Sequence, residues 1–302
     1  MIDNINLLIL APYLNVQLLL DGLLIGAIFV LAAYGLALVW GVMNVKNLAQ
    51  GDFVIMGGYI AWQVGTWGVN PLFGLPLAIV FMFAFGWAIY YLVIRYVIER
   101  DLFTSLLATF GMGLVISQSI NLLFGPEVQI ADSGLSIRSI YIFGGEVTVS
   151  EIKLLSFLMA SSLAAVVILF MKNSRMGQAI RATAQDARAA KVMGIDTERV
   201  YAFTFALNAA ICGAAGVLIA MIWNIQPFYG MTHSIRSFVI VTAAGFGNIP
   251  GVIMAGLGLG AAEQFSGFVF GAELQQATVV GLLVAVLVWR QIQSSRNRQA
   301  VI

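Results

Sequence analysis

Six long stretches of this 302-residue chain contain no charged side chain, and all six are predominantly apolar. They cover residues 22–45, 53–94, 102–126, 154–171, 200–235 and 237–262. A helix needs about 20 apolar residues to cross the hydrocarbon core of a bilayer, because each residue adds only 1.5 Å. The stretches therefore predict an all-α fold, a polytopic transmembrane helical bundle.

The composition excludes several classes of protein. Hydrophobic residues make up 61% of the chain and charged residues 10%, whereas soluble domains carry about 25% charged residues. A water-soluble enzyme and a disordered protein are therefore excluded. The net charge of +1 leaves no basic surface of the kind that nucleic-acid binding requires. We expect a lipid bilayer around the chain and no nucleic acid among its partners.

Breaker residues divide the apolar stretches into individual spans. We predict eight spans, at 18–43, 52–68, 72–95, 102–124, 152–171, 200–224, 251–270 and 274–290. The segment 237–249 has only about a dozen apolar residues, a length typical of a re-entrant or half helix. Three of the predicted spans, an odd number, follow residue 199. If 172–199 and the C-terminus face the same side of the bilayer, the segment 237–249 must therefore also cross it. The predicted count is therefore eight or nine spans.

Lysine and arginine predict the orientation, because they accumulate on the cytoplasmic side. Six basic and three acidic residues lie in the connection 172–199, and the C-terminal tail adds Arg290, Arg296 and Arg298. The connection 125–151 carries four acidic residues and one basic residue. We therefore expect 172–199 and the C-terminus in the cytoplasm, and 125–151 and the N-terminus outside.

Few residues could support catalysis or bind a metal. The chain has no Walker A motif, so it cannot bind ATP through a P-loop. Cys212 is its only cysteine and His233 its only histidine, which excludes a cysteine- or histidine-built metal site. We expect His233 in an outer loop, in contact with water. We predict no enzymatic activity, no cofactor and no metal.

The connection 172–199 has an amphipathic pattern with basic residues between its apolar positions, which are Met176, Ile180, Ala184, Ala187 and Met193. Such a helix can lie on anionic lipid or bind a cytoplasmic protein. The order Arg188-Ala189-Ala190-x-x-x-Gly194 favours a protein partner. It matches the Glu-Ala-Ala-x-x-x-Gly loop of ABC importer permeases, with arginine in place of glutamate.

Motifs in the same order and spacing carry a family resemblance. They are Asn47-Leu48-Ala49-Gln50-Gly51-Asp52-Phe53, the segments Ser174–Ala182 and Met193–Val200, and the glycine-rich segment Ala243–Gly251, which is followed by Glu263. From about residue 20 to 290 the chain resembles the bacterial high-affinity branched-chain amino acid permease of ABC transporters, the shorter of its two permease subunits.

This resemblance implies an inner-membrane protein with a single transmembrane permease domain over 1–302. Its implied partners are a second permease subunit, two cytoplasmic ATPase subunits and a periplasmic substrate-binding protein. The segment 172–199 would be the cytoplasmic coupling loop, with ATPase contacts from Arg181, Arg188, Ala189, Ala190 and Gly194. Urea and short-chain amide permeases share these motifs, so they remain an alternative, as does a stand-alone channel or secondary carrier.

Polar residues next to or within the apolar spans are candidates for the substrate pathway: Asn47, Gln50, Asp52, Asn248 and Glu263. Near a helix start, Asp52 could instead be stabilised by the helix macrodipole. An acid within a span costs about 2.5–3.5 kcal/mol on insertion scales. For Glu263 we therefore expect a structural partner or gate, because a negative charge would repel a substrate carboxylate. Compared with the family motif, Gln50 replaces a histidine and Asp52 a glutamate, so the acidic role remains possible.

Overall fold

The computed structural model describes residues 2–98, 100–134, 138–142, 145–245 and 247–299. Its helices are α1 (Ile2–Leu10), α2 (Pro12–Met43), α3 (Gln50–Thr66), α4 (Gly74–Leu92), α5 (Leu102–Phe124), α6 (Glu151–Asn173), α7 (Arg175–Gln185), α8 (Ala187–Val192), α9 (Thr197–Ile222), α10 (Gly230–Ala244), α11 (Ile249–Phe270) and α12 (Ala272–Gln299). Strands β1 (Ser139–Ile142) and β2 (Val147–Ser150) pair antiparallel. The predicted helical bundle is confirmed.

The predicted count of eight or nine spans is wrong for the described residues, in which six helices are long and apolar enough to cross a membrane. These are α2, α4 with its flanking turns, α5, α6, α9 and α11. The other predicted spans fall on α3 with 17 residues, on α10 with 15 residues, and on the apolar part of α12, Leu274–Trp289. At 1.5 Å per residue, α10 is only about 22 Å long, whereas the hydrocarbon core is about 30 Å thick.

Helices α2 and α9 form the centre of the bundle. In each, 89% of the most apolar window is buried, compared with 28% around α4 and 22% in α6. Both helices are apolar on all sides, a pattern typical of a helix surrounded by others. Helix α2 packs antiparallel against α11 through glycines, since a Cβ on Gly22 would meet the Ala261 backbone and one on Gly26 would meet the Gly256 carbonyl. Such small residues allow two helix backbones to approach closely.

The bundle has two distinct ends. At one end, which we call the hairpin end, Gln17 near the start of α2 exchanges two hydrogen bonds with the Thr148 backbone of β2, both 2.7 Å long. At the opposite end, which we call the α7 end, Val42 near the close of α2 packs with Ile180 of α7. Helix α2 therefore connects the two ends.

Helix α3 is short because it begins inside the bundle. The preceding residues 44–49 run back along α2 without forming a helix, and the Leu48 N–H donates to the Thr109 hydroxyl of α5 at 3.1 Å. Gln50, the first residue of α3, then donates to the Ala32 carbonyl in the middle part of α2 at 2.9 Å. Irregular backbone at membrane depth persists where protein groups satisfy it, as they do here.

Helix α10, which covers the first part of the predicted segment 237–249, also begins inside the bundle. The preceding residues 223–226 return part of the way from α9 without forming a helix, and Pro227–Tyr229 then form one 3₁₀ turn. Ile225 exchanges backbone hydrogen bonds of 2.7 and 2.9 Å with Gln129. Helix α10 then ends at Ala244, and Gly245 adopts a φ of +85°. The half-helix interpretation of this segment therefore fits the structure better than a ninth full span.

The connection 172–199 forms two helices rather than one amphipathic helix. Asp186 ends α7 and caps α8, because its carboxylate accepts from the N–H groups of Arg188 and Ala189 at 2.8 and 3.0 Å. The break interrupts the predicted apolar stripe, so Ile180 is buried whereas Met193 is 81% exposed. In the C-terminal tail, the side chains of Arg290, Arg296 and Arg298 lie outside the described residues.

Candidate functional site

A polar cavity with a volume of about 620 Å³ lies at the hairpin end. Residues near the ends of three helices surround its opening, among them Leu18 of α2, Phe268 of α11 and Gln275 of α12. Trp223 and Arg236 also line it. Ligand pockets commonly measure about 300–1,000 Å³ and combine apolar walls with a few polar groups, so this cavity can hold a small molecule.

A buried ion pair lies at the inner end of this cavity. Arg236 of α10 donates from Nε to Glu263 Oε1 of α11 at 2.7 Å, and the two side chains are 11% and 1% exposed. The guanidinium also lies over the rings of Phe29 and Trp223, 5.0 and 5.4 Å from their centroids. Glu263 thus has the structural partner that we expected from its position in a span.

Sequence reasoning missed Arg236. It is the single charged residue between two long uncharged stretches, and Glu263 follows it on the next helix. Because charged residues in membrane helices usually pair with one another, a search for opposite charges in neighbouring spans would have found this pair.

The expectation for His233 is wrong. Instead of lying in an outer loop, the ring is buried in the first turn of α10, 7% exposed, with Nδ1 3.4 Å from Arg236 Nη1. Because the first turn of α10 lies inside the bundle, the histidine is kept away from the water outside. Although buried, His233 lines the hairpin-end cavity.

Asp52 lies where the N-termini of α3 and α10 meet. A Cβ on Gly113 of α5 would lie 2.5 Å from Asp52 Oδ2, and one on Gly230 of α10 would overlap Oδ1. The two glycines therefore leave the space that the carboxylate fills. Among the described residues, no ion pair involves Asp52. Two helix N-termini favour a negative charge, as the macrodipole alternative predicted for one of them.

Asn47 and Gln50 face the interior of the protein. Both are 0% exposed. The Asn47 side-chain oxygen accepts from the Ala49 N–H at 3.1 Å, and Gln50 Nε2 lies 2.9 Å from both the Ala32 carbonyl and the Cys212 sulfur. These contacts tie the start of α3 to α2 and α9, and neither residue lines the hairpin-end cavity.

Asn248 lies at the opposite end of the bundle, in a second cavity of about 370 Å³. Its side chain caps α11 by accepting from the Gly251 N–H at 3.1 Å. The cavity is bounded by α2 and α7, including Arg181, whose guanidinium donates to the Met171 carbonyl. The preceding Phe246, part of the glycine-rich motif, lies outside the described residues.

An apolar cluster separates the two cavities. Phe29 and Val30 of α2 pack there with Val239 and Ile240 of α10 and with Val252 of α11. All five side chains are at most 6% exposed. Helices α2 and α11 therefore line both cavities, and α10 joins them in the apolar cluster between the cavities.

Residues around α8 form a second candidate site. Ala189 is exposed and Ala190 is buried, while Val192 and Met193 at the end of the helix are 86% and 81% exposed. Gly194 ends the helix with a φ of +86°, a conformation that glycine adopts without strain. The small residues and the exposed apolar pair provide a surface on which another protein can dock.

Known proteins resemble the chain over almost its whole length. The family profile described as the permease component of the branched-chain amino acid transport system matches residues 18–288. The permease BraD of Pseudomonas aeruginosa is 29% identical over 292 residues, which covers 92% of this chain and 94% of BraD. The permease LivH of Escherichia coli is 29% identical over 287 residues, covering 90% of this chain and 92% of LivH.

A second type of permease is also related. LivM of Escherichia coli is 25% identical over 321 residues, covering 95% of this chain and 72% of LivM. Among solved structures, PsaBC of Streptococcus pneumoniae matches with a TM-score of 0.46 and 14% identity over 95% of both chains. The match to the family profile is decisive: the chain belongs to the family of branched-chain amino acid transport permease components.

Proposed function

We propose that this chain is a permease subunit of an ABC importer that moves branched-chain amino acids across the bacterial inner membrane. The observation that carries the proposal is the pair of cavities at opposite ends of α2 and α11 with an apolar cluster between them. Alternating access requires a site that opens to one side at a time, and half-helices at membrane depth are typical of transporters. BraD and LivH are named as high-affinity branched-chain amino acid permeases, which supports this substrate class.

The proposed partners follow from the family. We propose one further permease subunit, two cytoplasmic ATPase subunits that hydrolyse the ATP, and a periplasmic substrate-binding protein. The similarity to LivM, itself named as a permease of a branched-chain amino acid transport system, supports a homologous chain as the second permease.

The segment 172–199 is the proposed coupling loop. The exposed Ala189 can fit into a groove of the ATPase subunit, and Val192 and Met193 offer apolar area beside it. Arg181 is held at the end of α6 by its bonds to the Met171 and Lys172 carbonyls. It would therefore transmit movement of α7 to the bundle, whereas Arg188 and Ala190 flank the docking surface.

The orientation follows from the same assignment. The α7 end and the C-terminus are proposed to face the cytoplasm, and the hairpin end the periplasm, as the positive-inside rule indicates. The hairpin-end cavity would then receive the substrate, and the cavity at the α7 end would release it. Asp52 and Asn248 remain pathway candidates, whereas the inward-facing Asn47 and Gln50 fit a structural role better.

Uptake by the assembled complex tests the proposal. Proteoliposomes containing both permeases and both ATPases, with the binding protein outside, should accumulate radiolabelled leucine and valine only with ATP inside. Accumulation of urea or a short-chain amide in place of leucine would contradict the substrate class. Uptake without any ATPase would instead favour a stand-alone channel or secondary carrier.

A further inference from the structure

The hairpin-end cavity contains the guanidinium of Arg236, and the contacts of this group within the protein do not use all of its N–H donors. Glu263 engages only Nε of Arg236, and Nη1 lies 3.4 Å from the His233 ring. Among the described residues, Nη2 has no hydrogen-bond partner, and Arg236 lines the cavity. The edge of the guanidinium formed by Nη1 and Nη2 is therefore available to a ligand.

We infer that this edge of Arg236 binds the α-carboxylate of the amino acid in the hairpin-end cavity. This inference rests on the proposed function and deepens it. A guanidinium edge presents two parallel N–H groups, which match the two oxygens of a carboxylate. A neutral ligand such as urea can accept hydrogen bonds from this edge, but it brings no negative charge to compensate the buried cation.

Arg236 is already ordered before a ligand arrives. Its ion pair with Glu263 and the rings of Phe29 and Trp223 fix the guanidinium in one position. A preorganised group loses little conformational entropy on binding. Glu263 lies about 10 Å along α11 from the last residue of that helix, at 1.5 Å per residue. A ligand on Arg236 would therefore be held below the opening of the cavity.

The rest of the cavity suits the other parts of a branched-chain amino acid. Leu18, Trp223 and Phe268 offer apolar surface for an aliphatic side chain, and Asn224, Gln264 and Gln275 offer amide oxygens to an ammonium group. Glu263 adds a negative charge close to the bound carboxylate, which limits how tightly the anion is held. Such limited affinity is useful at a site that must release its ligand inward.

A thiol-protection experiment can test this assignment, because Cys212 is the only cysteine of the chain and is buried. A Gln264→Cys variant, assembled with both ATPases and the second permease but without the binding protein, is treated with a charged thiol reagent. Labelling of this chain is followed by mass spectrometry. Leucine and valine should protect the thiol, whereas leucinamide and urea should not. Leaving out the binding protein ensures that the carboxylate comes from the amino acid and not from a docked protein.

Arginine variants complete the test. In the Gln264→Cys background, Arg236→Gln should raise the leucine concentration for half-protection about tenfold or more, as loss of a charge-assisted contact predicts. For Arg236→Lys this concentration should lie between those of the unaltered arginine and of Arg236→Gln, because lysine keeps the charge and loses the planar edge. Lys153→Gln is the control, since Lys153 pairs with Asp21 outside the cavity at 2.9 Å, and it should not change protection.

Two results would overturn the inference. One is equal protection by leucine and leucinamide, and the other is full protection by leucine in Arg236→Gln. Either result is compatible with leucine uptake by the unaltered complex, so neither would reject the proposed function. Absence of leucine uptake by the unaltered complex would instead reject the proposed function itself.

Discussion

Gly51 allows the first turn of α3 to approach the first turn of α10. The Gly51 N–H donates to the Ser234 hydroxyl at 2.8 Å, and that hydroxyl lies 2.7 Å from the Leu48 carbonyl. A Cβ at position 51 would overlap the Gly230 carbonyl and lie 2.6 Å from the Ser234 backbone nitrogen. These are backbone atoms of a packed helix, so they cannot move aside at low cost.

Gly51→Ala should therefore destabilise the assembled complex. Overpacking of a well-packed site costs about 1–3 kcal/mol, which should lower the melting temperature. Gly111→Ala on α5 is the matched control, because no atom lies within 4 Å of its Cβ position, and it should leave the melting temperature unchanged or slightly higher. Equal melting temperatures for the two variants would contradict the close approach of α3 and α10.

The Arg236–Glu263 pair predicts a non-additive response to mutation. Glu263→Gln leaves the buried guanidinium without its counter-ion, and breaking one side of a buried pair costs about 3–5 kcal/mol. The double variant Arg236→Gln/Glu263→Gln removes both charges and should be more stable than the Glu263→Gln variant. A double-mutant cycle on thermal unfolding measures the coupling, and additive effects would show that the pair is not formed in the membrane.

At the scale of elements, α8 depends on its cap and its glycine. Asp186 binds the first N–H groups of α8, and the Gly194 N–H reaches the Lys191 carbonyl at 3.1 Å. A six-residue helix gains little from its own backbone hydrogen bonds. Its shape is therefore set by these end contacts and by Ala190, which is 4% exposed.

Ala189→Trp should abolish stimulation of the ATPases by this chain while its membrane insertion remains normal. The exposed Ala189 lies on the proposed docking surface, where an indole would prevent close contact with a groove. Glu127→Trp is the control, since residue 127 is exposed near the hairpin end, and its ATPase rate should equal that of the unaltered complex. A normal ATPase rate in Ala189→Trp would reject α8 as the coupling element.

The sequence predicts the long helices well but not the short ones. Helices α2 and α9 each contain a long uncharged apolar stretch, so composition alone identifies them. The half-helices α3 and α10 depend on contacts between distant residues, such as Leu48 with Ser234 and Gln129 with Ile225. A local sequence pattern does not reveal contacts between distant residues, so the predicted number of spans was too high. Gln50 and Asp52 could be identified as candidates because polar side chains are unusual within apolar sequence. The residues that surround them in the structure could not be predicted.

At the scale of the molecule, packed side chains close off the two cavities from each other. Two cavities of about 620 and 370 Å³ lie at opposite ends of α2 and α11, and the apolar cluster around Phe29 and Ile240 lies between them. Transport requires that this cluster part and re-form, because a substrate cannot pass through packed side chains. Helix α10 is the element best placed to move, since it has only 15 residues and its connection from α9 is not a continuous α-helix.

Accessibility of the two cavities during the ATP cycle tests this central claim most directly. Thr232→Cys reports on the hairpin-end cavity and Gln185→Cys on the α7-end cavity. Their reaction rates with a charged thiol reagent are compared in complexes without nucleotide and in complexes trapped with ATP and vanadate. Alternating access predicts opposite changes, with one thiol becoming more reactive as the other becomes less so. Parallel changes at both positions, or rates that do not respond to nucleotide, would contradict it.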